Sequence, residues 1–180
     1  MDRAKVMPLL KGVLVLAVIA LCSGLLLGAF NILTYVDPLQ ATYEQFAEDT
    51  GATFSEMKDE EGQTFGSGSV VYYAVSDDGQ YHAFLASGSG GYGGNVQMYV
   101  YIKDSVIENI VIGDNSETFL DRLDEANFYD NFIGQNVAEL DALSVDAVSG
   151  ATRSSTAVKN GVNAVVRYYN EKIAGGENNG

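Results

Sequence analysis

From Gly12 to Val36 the chain runs for 25 residues without an Asp, Glu, Lys or Arg, and most of these positions are Leu, Val, Ala or Ile. About 20 apolar residues are enough to cross a hydrocarbon core as a helix, so residues 12–36 read as a membrane span with some tilt. A cleavable signal peptide shares the basic flank, but its apolar region is only about 7–15 residues and ends at a small-x-small site. Here the run is longer and closes on Phe30 and Tyr35, as an interfacial aromatic belt does. That pattern favours a retained anchor. Cys22 follows Leu21, where a lipid-attachment site calls for a small residue, and reads as a membrane-helix cysteine with no chemistry.

Arg3, Lys5 and Lys11 precede the span with only Asp2 against them. The excess of positive charge places residues 1–11 in the cytoplasm as a short stub and everything after Val36 outside. That outer part holds seven of the ten basic residues and 23 of the 24 acidic ones, a balance of −16. So acidic a domain does not bind nucleic acid non-specifically and is repelled by anionic lipid head groups. It contains no cysteine, which removes both disulfides and thiolate sites. Its stability rests on its core, and about 140 residues can supply one.

The outer part reads as α+β. Asp37 and Pro38 have the chemistry of a helix start, and Leu39, Tyr43, Phe46 and Thr50 follow at helical spacing up to Gly51. Residues 55–69 are polar and glycine-containing, with no periodic signal. Val70–Val75 and Gln80–Ser87 then form a hairpin across Ser76–Gly79, and Asn95–Lys103 and Val106–Gly113 form a second across Asp104–Ser105. The four runs predict an antiparallel meander. Between the hairpins, residues 88–94 contain five glycines, which implies a special backbone path, a ligand at the main chain, or a flexible connector. The P-loop pattern is absent. Residues 117–132 suggest one or two short helices and residues 137–143 another. The clearest helix places Val158, Val162, Val165, Tyr169 and Ile173 on one face for packing against the sheet, with Lys159, Asn163, Arg167 and Asn170 opposite. Residues 175–180, rich in Gly and Asn, read as a disordered tail.

His82 is the single histidine and sits in a strand pattern, so neither a metal cluster nor a Ser–His–Asp set can be assembled around it. Catalytic and metal residues are therefore assigned to none. Reactivity in such a domain comes from a bound cofactor. The stretch DAVSGATRSS (Asp146–Ser155) is where a cofactor could sit. Ser154 or Ser155 could cap the last helix, whose N-terminus attracts phosphate. A phosphate ester on Thr152 would lie where the helix dipole favours it, with Arg153 as charge partner. On the residues alone, a capped small-residue turn is the favoured reading.

The pattern D-x-x-S-G-A-T, formed by Asp146, Ser149, Gly150, Ala151 and Thr152, resembles the flavinylation motif of the FMN-binding domains found in the Rnf and Nqr electron-transport complexes. The resemblance implies that a flavin transferase attaches FMN through its phosphate to the Thr152 hydroxyl. It assigns Asp146, Ser149, Gly150 and Ala151 to transferase recognition. It also implies flavin contacts from Tyr92, Gly93 and Gly94, from Glu117 and Thr118, and from Ser149, Gly150 and Ala151. Arg153 as a phosphate partner is added on charge grounds. Ser116–Glu117–Thr118 is similar to the start of the family's SETPGLG segment, but the chain continues as FLDRL.

The single span, basic stub and outward domain over residues 37–174 are likewise similar to the family, and the short length is closer to the Rnf member than to its longer Nqr counterpart. The expectation is therefore a membrane-anchored α+β flavoprotein with an antiparallel sheet and flanking helices. It would act as a redox component, without catalysis of its own, of an Rnf complex that moves electrons between ferredoxin and NAD while pumping Na⁺ or H⁺. Its expected partners are the other integral-membrane Rnf subunits, including the one bearing the second covalent FMN, and the transferase during maturation. Two alternatives stand beside it: a free-standing surface flavoprotein that relays electrons or senses redox state, and an anchored binding module without a flavin.

Overall fold

The structure, a computed structural model, describes residues 3–35 and 38–175. The chain divides into two compact units, Met1–Ala41 and Thr42–Gly180. In the first, helix α1 (Arg3–Thr34) is exposed along the whole of its apolar run. Leu14, Leu16, Ile19, Leu25 and Leu27 are all among its exposed side chains. A helix that is hydrophobic all round belongs in a protein core or in lipid. Among the described residues it is the one helix long and apolar enough to cross a membrane.

Helix α2 (Pro38–Thr50) ends at Gly51, whose φ of 69° suits a residue without a Cβ. Expectations for Asp37 and for residues 176–180 fall outside the described residues. Phe46 of α2 is fully buried and meets Phe54, Tyr99 and Tyr101 at ring-centroid separations of 5.4, 6.0 and 6.0 Å. The Tyr101 hydroxyl donates to Asp49, which ties the helix end to the sheet.

The sheet has six strands, all antiparallel: β1 (Met57–Asp59), β2 (Gln63–Phe65), β3 (Gly68–Val75), β4 (Tyr81–Gly88), β5 (Val96–Lys103) and β6 (Val106–Ile112). The last four are the expected meander. Asp104 and Ser105, at φ 50° and 62°, make the two-residue turn between β5 and β6, whose twist requires positive φ at both positions. Strands β1 and β2 correct the reading of residues 55–69 as irregular. Each has three residues, too few for an alternating pattern, and each exists because it pairs with β3.

After the sheet come α3 (Leu120–Glu125) and a 3-10 turn at Phe128–Asn131, which bury Leu123, Phe128 and Phe132. The helix expected over residues 137–143 is reduced to a 3-10 turn at Ala142–Ser144, begun by the Asp141 carboxylate accepting from the Leu143 amide at 3.2 Å. Helix α4 (Thr152–Tyr168) continues as a π-helical turn to Ala174. It lays Val158, Val162 and Val165 on the sheet, where they join Val70, Phe84, Met98 and Val100 in one core.

Helix and sheet approach closely. A Cβ added at Gly88 would collide with the Ala157 carbonyl oxygen, and one at Gly68 with that of Asn160. His82 lies within the aromatic layer, its Nδ1 2.8 Å from the Tyr73 hydroxyl and its ring 5.3 Å from that of Tyr169.

Candidate functional site

The segment entering the DxxSGAT turn is anchored to α4. Lys159 Nζ donates to the carbonyls of Leu143 and Val145 at 3.1 and 2.8 Å, leaving the chain free to turn back at Val148. The Ala151 amide donates to the Val148 carbonyl at 3.0 Å, closing a β-turn with Gly150 third and at φ 79°. A turn with positive φ at that position favours glycine. Ser155 braces it, its hydroxyl accepting from the Val148 amide and donating to the Ala151 carbonyl, both at 3.0 Å.

Helix α4 therefore starts at Thr152, with Ala151 as its N-cap and no side-chain cap. This corrects the assignment of Ser154 or Ser155 as cap: both are fully buried and committed elsewhere. Thr152 occupies the first helical position and is exposed. The amides of a helix's first turn have no intrahelical acceptor, so an acceptor on Thr152 would meet them.

Glu117 joins the three segments singled out in the sequence. Its Oε1 accepts from the Ser154 hydroxyl at 2.6 Å and its Oε2 from the Gly93 amide at 2.7 Å. One carboxylate thus ties the start of α4 to the glycine-rich loop. Partial burial pushes this carboxyl up, but donation from Ser154 and from the amides of Gly93, Tyr92 and Thr118 outweighs it, holding Glu117 below its ordinary range and ionised.

The loop's composition now has a cause. Gly90 and Gly94 adopt φ of 107° and 133°, while a Cβ at Gly91 or Gly93 would run into Glu117 or the Ser116 carbonyl. The special backbone path accounts for these glycines.

Beside the turn lies an open cleft of about 630 Å³, lined by Thr118, Phe119, Arg122, Val148 and Ser149, with Asp121 and Glu125 at its acidic side. Its volume falls within the range of small-molecule sites, about 300–1,000 Å³. Tyr92, 69% exposed, stands edge-on to Phe119 with centroids 5.9 Å apart. The Arg122 guanidinium lies 5.4 Å from the Phe119 ring centroid.

Tyr92, Gly93, Glu117, Thr118, Ser149, Gly150, Ala151 and Thr152 are thus gathered around one region. The Asp146 side chain is exposed and makes no hydrogen bond among the described residues, and the same holds for that of Arg153. Three residues stand outside the sequence-based set: Ser154 as the partner of Glu117, and Phe119 and Arg122 in the FLDRL segment. An arginine three positions after a phenylalanine is the only sequence signal of the last two.

Comparison with curated proteins and with solved structures gives no significant match. Residues 91–167, which hold the glycine-rich loop, Glu117 and the Thr152 turn, match the family model described as the FMN-binding domain.

Proposed function

We propose that the domain binds FMN, esterified through its phosphate to Thr152, and serves as an electron carrier in an Rnf-like complex of the membrane. The observation that carries this reading is the assembly, within the segment that matches the FMN-binding family model, of an exposed threonine at the first position of α4 with the glycine-rich loop. The group fits the residues present: a hydroxyl acceptor, unpaired first-turn amides, an adjacent cleft and an exposed aromatic edge. A flavin supplies one- and two-electron chemistry, and a phosphate tether leaves its ring unmodified.

In this reading the Thr152 oxygen would attack the FMN phosphorus of a flavin phosphoanhydride presented by the transferase. The ester P–O bond would form as the phosphoanhydride P–O bond breaks, with the other phosphate as leaving group and the hydroxyl proton passing to solvent. The Gly150 turn keeps the acceptor exposed, Glu117 holds the loop against α4, and Asp146 with Ser149 offers the transferase its polar contacts. Residues 12–36 anchor the domain, residues 1–11 stay in the cytoplasm, and residues 37–174 work outside. The other integral-membrane Rnf subunits, including the one with the second covalent FMN, are the proposed partners.

The test is affinity purification of the tagged full chain from its own membranes. The reading expects ultraviolet-excited flavin fluorescence that stays with the chain in denaturing gels and co-purifies with further membrane subunits. Fluorescence without companions would leave a free-standing flavoprotein; a chain without fluorescence would remove the covalent flavin.

A further inference from the structure

We propose that Arg122, and not Arg153, holds the phosphate of the Thr152 ester, an assignment that rests on the covalent-FMN reading. The guanidinium lies against the acceptor turn. A Cβ added at Gly150 would overlap Nη1 of Arg122 and come within 3.5 Å of its Cζ. Gly150 precedes Thr152 by two residues, so the cation is brought to the backbone that presents the acceptor.

Three observations argue that this cation is reserved for an anion. The outer domain carries −16, yet the Arg122 side chain forms no ion pair or hydrogen bond among the described residues. Its contact is instead the face of Phe119, which orients the planar group without using its N–H donors. Among the residues lining the cleft it is also the only basic one, and Asp121 and Glu125 line the same cleft. The other charged residues lining the cleft, Asp121 and Glu125, repel a phosphate, so the arginine has no substitute within the cleft.

Charge-assisted pairing to phosphate from a forked guanidinium, added to the positive end of α4, is strong in such a setting. Arg153 stands in the first turn of α4, exposed and with no side-chain hydrogen bond among the described residues to fix its guanidinium at the turn.

The experiment uses the detergent-solubilised full chain loaded by a flavin transferase, as wild type, Arg122→Gln, Arg122→Lys and Arg153→Gln. Loading is followed by intact mass, the ester by its ³¹P resonance, and the unloaded fold by circular dichroism. Arg122→Gln is expected to keep the unloaded spectrum, to slow loading by about tenfold, and to move the ³¹P resonance of whatever ester forms. Arg122→Lys should recover part of the rate, because it keeps the charge but loses the fork. Arg153→Gln should match wild type in both.

A native-folded Arg122→Gln chain that does not load at all also supports the clamp when Arg153→Gln loads normally. The clamp is overturned if Arg122→Gln loads at the wild-type rate with an unmoved resonance, or if Arg153→Gln moves it instead. A wild-type chain that gains no flavin mass removes the reading of Thr152 and the clamp with it; a loaded wild type indifferent to Arg122 removes the clamp alone.

Discussion

Ser154 and Glu117, 37 positions apart, meet through a 2.6 Å hydrogen bond between a fully buried hydroxyl and a carboxylate whose other oxygen holds the Gly93 amide. The relation is asymmetric. Removing the carboxylate strands a buried hydroxyl, whereas removing the hydroxyl leaves a carboxylate that still reaches water and three backbone amides.

Glu117→Ala is therefore expected to destabilise the unloaded chain by about 2 kcal/mol, and Ser154→Ala by less than about 1 kcal/mol, since an unpaired buried polar group costs about 1–3 kcal/mol. Urea denaturation of both variants checks the order. Equal costs would mean that the hydrogen bond, and not the stranded group, sets the energy.

The Glu117 carboxyl is held below its ordinary 4.5 in the folded chain. A depressed folded value contributes stability that is present above the unfolded value and is lost as pH falls through the folded one. The stability difference between wild type and Glu117→Gln should be constant from about pH 7 to about 5.5 and shrink below about 4.5. A difference that grows on acidification contradicts the assignment of donors.

Gly88→Ala places a methyl into the Ala157 carbonyl at the crossing of β4 and α4, where backbone lies on both sides. Overpacking of this kind costs about 1–3 kcal/mol or more, and thermal melting should show a fall on the order of 10 °C. A change within a degree would mean that α4 can lift from the sheet without loss.

Gly150→Ala meets two obstacles, a φ of 79° and the Arg122 guanidinium. The first costs roughly 1–2 kcal/mol for an L-residue. The second is relieved by Arg122→Ala, so a double-mutant cycle in the unloaded chain should show a favourable coupling of about 1 kcal/mol. Additive costs would place the guanidinium away from the turn.

The elements legible in the sequence are those with a sustained period. The α4 stripe and the two hairpins carry their pattern within one segment, and Asp104–Ser105 marks its own turn. Strands β1 and β2 are not legible, because three residues carry no period, although β2 is joined to its partner β3 by only Gly66 and Ser67. The start of α4 falls two or three residues before the serines that suggest it: serines are favoured caps, yet Ser154 and Ser155 are drawn inward to Glu117 and to the Val148–Ala151 turn. At the site, the threonine is readable from the motif, and the special backbone path of the glycine loop is one of the alternatives that its five glycines suggest. The clamp by Glu117 depends on a contact between distant segments, and Arg122 lies where the chain departs from the SETPGLG segment it resembles, with only its spacing from Phe119 as a local signal.

The most direct measurement is the intact mass of the full chain expressed with and without a flavin transferase, beside Thr152→Ala. Covalent FMN on Thr152 gives a gain of one FMN minus one water in the wild type, present only with the transferase and absent from Thr152→Ala. No gain under conditions that load a known acceptor, or a gain that survives in Thr152→Ala, would contradict it.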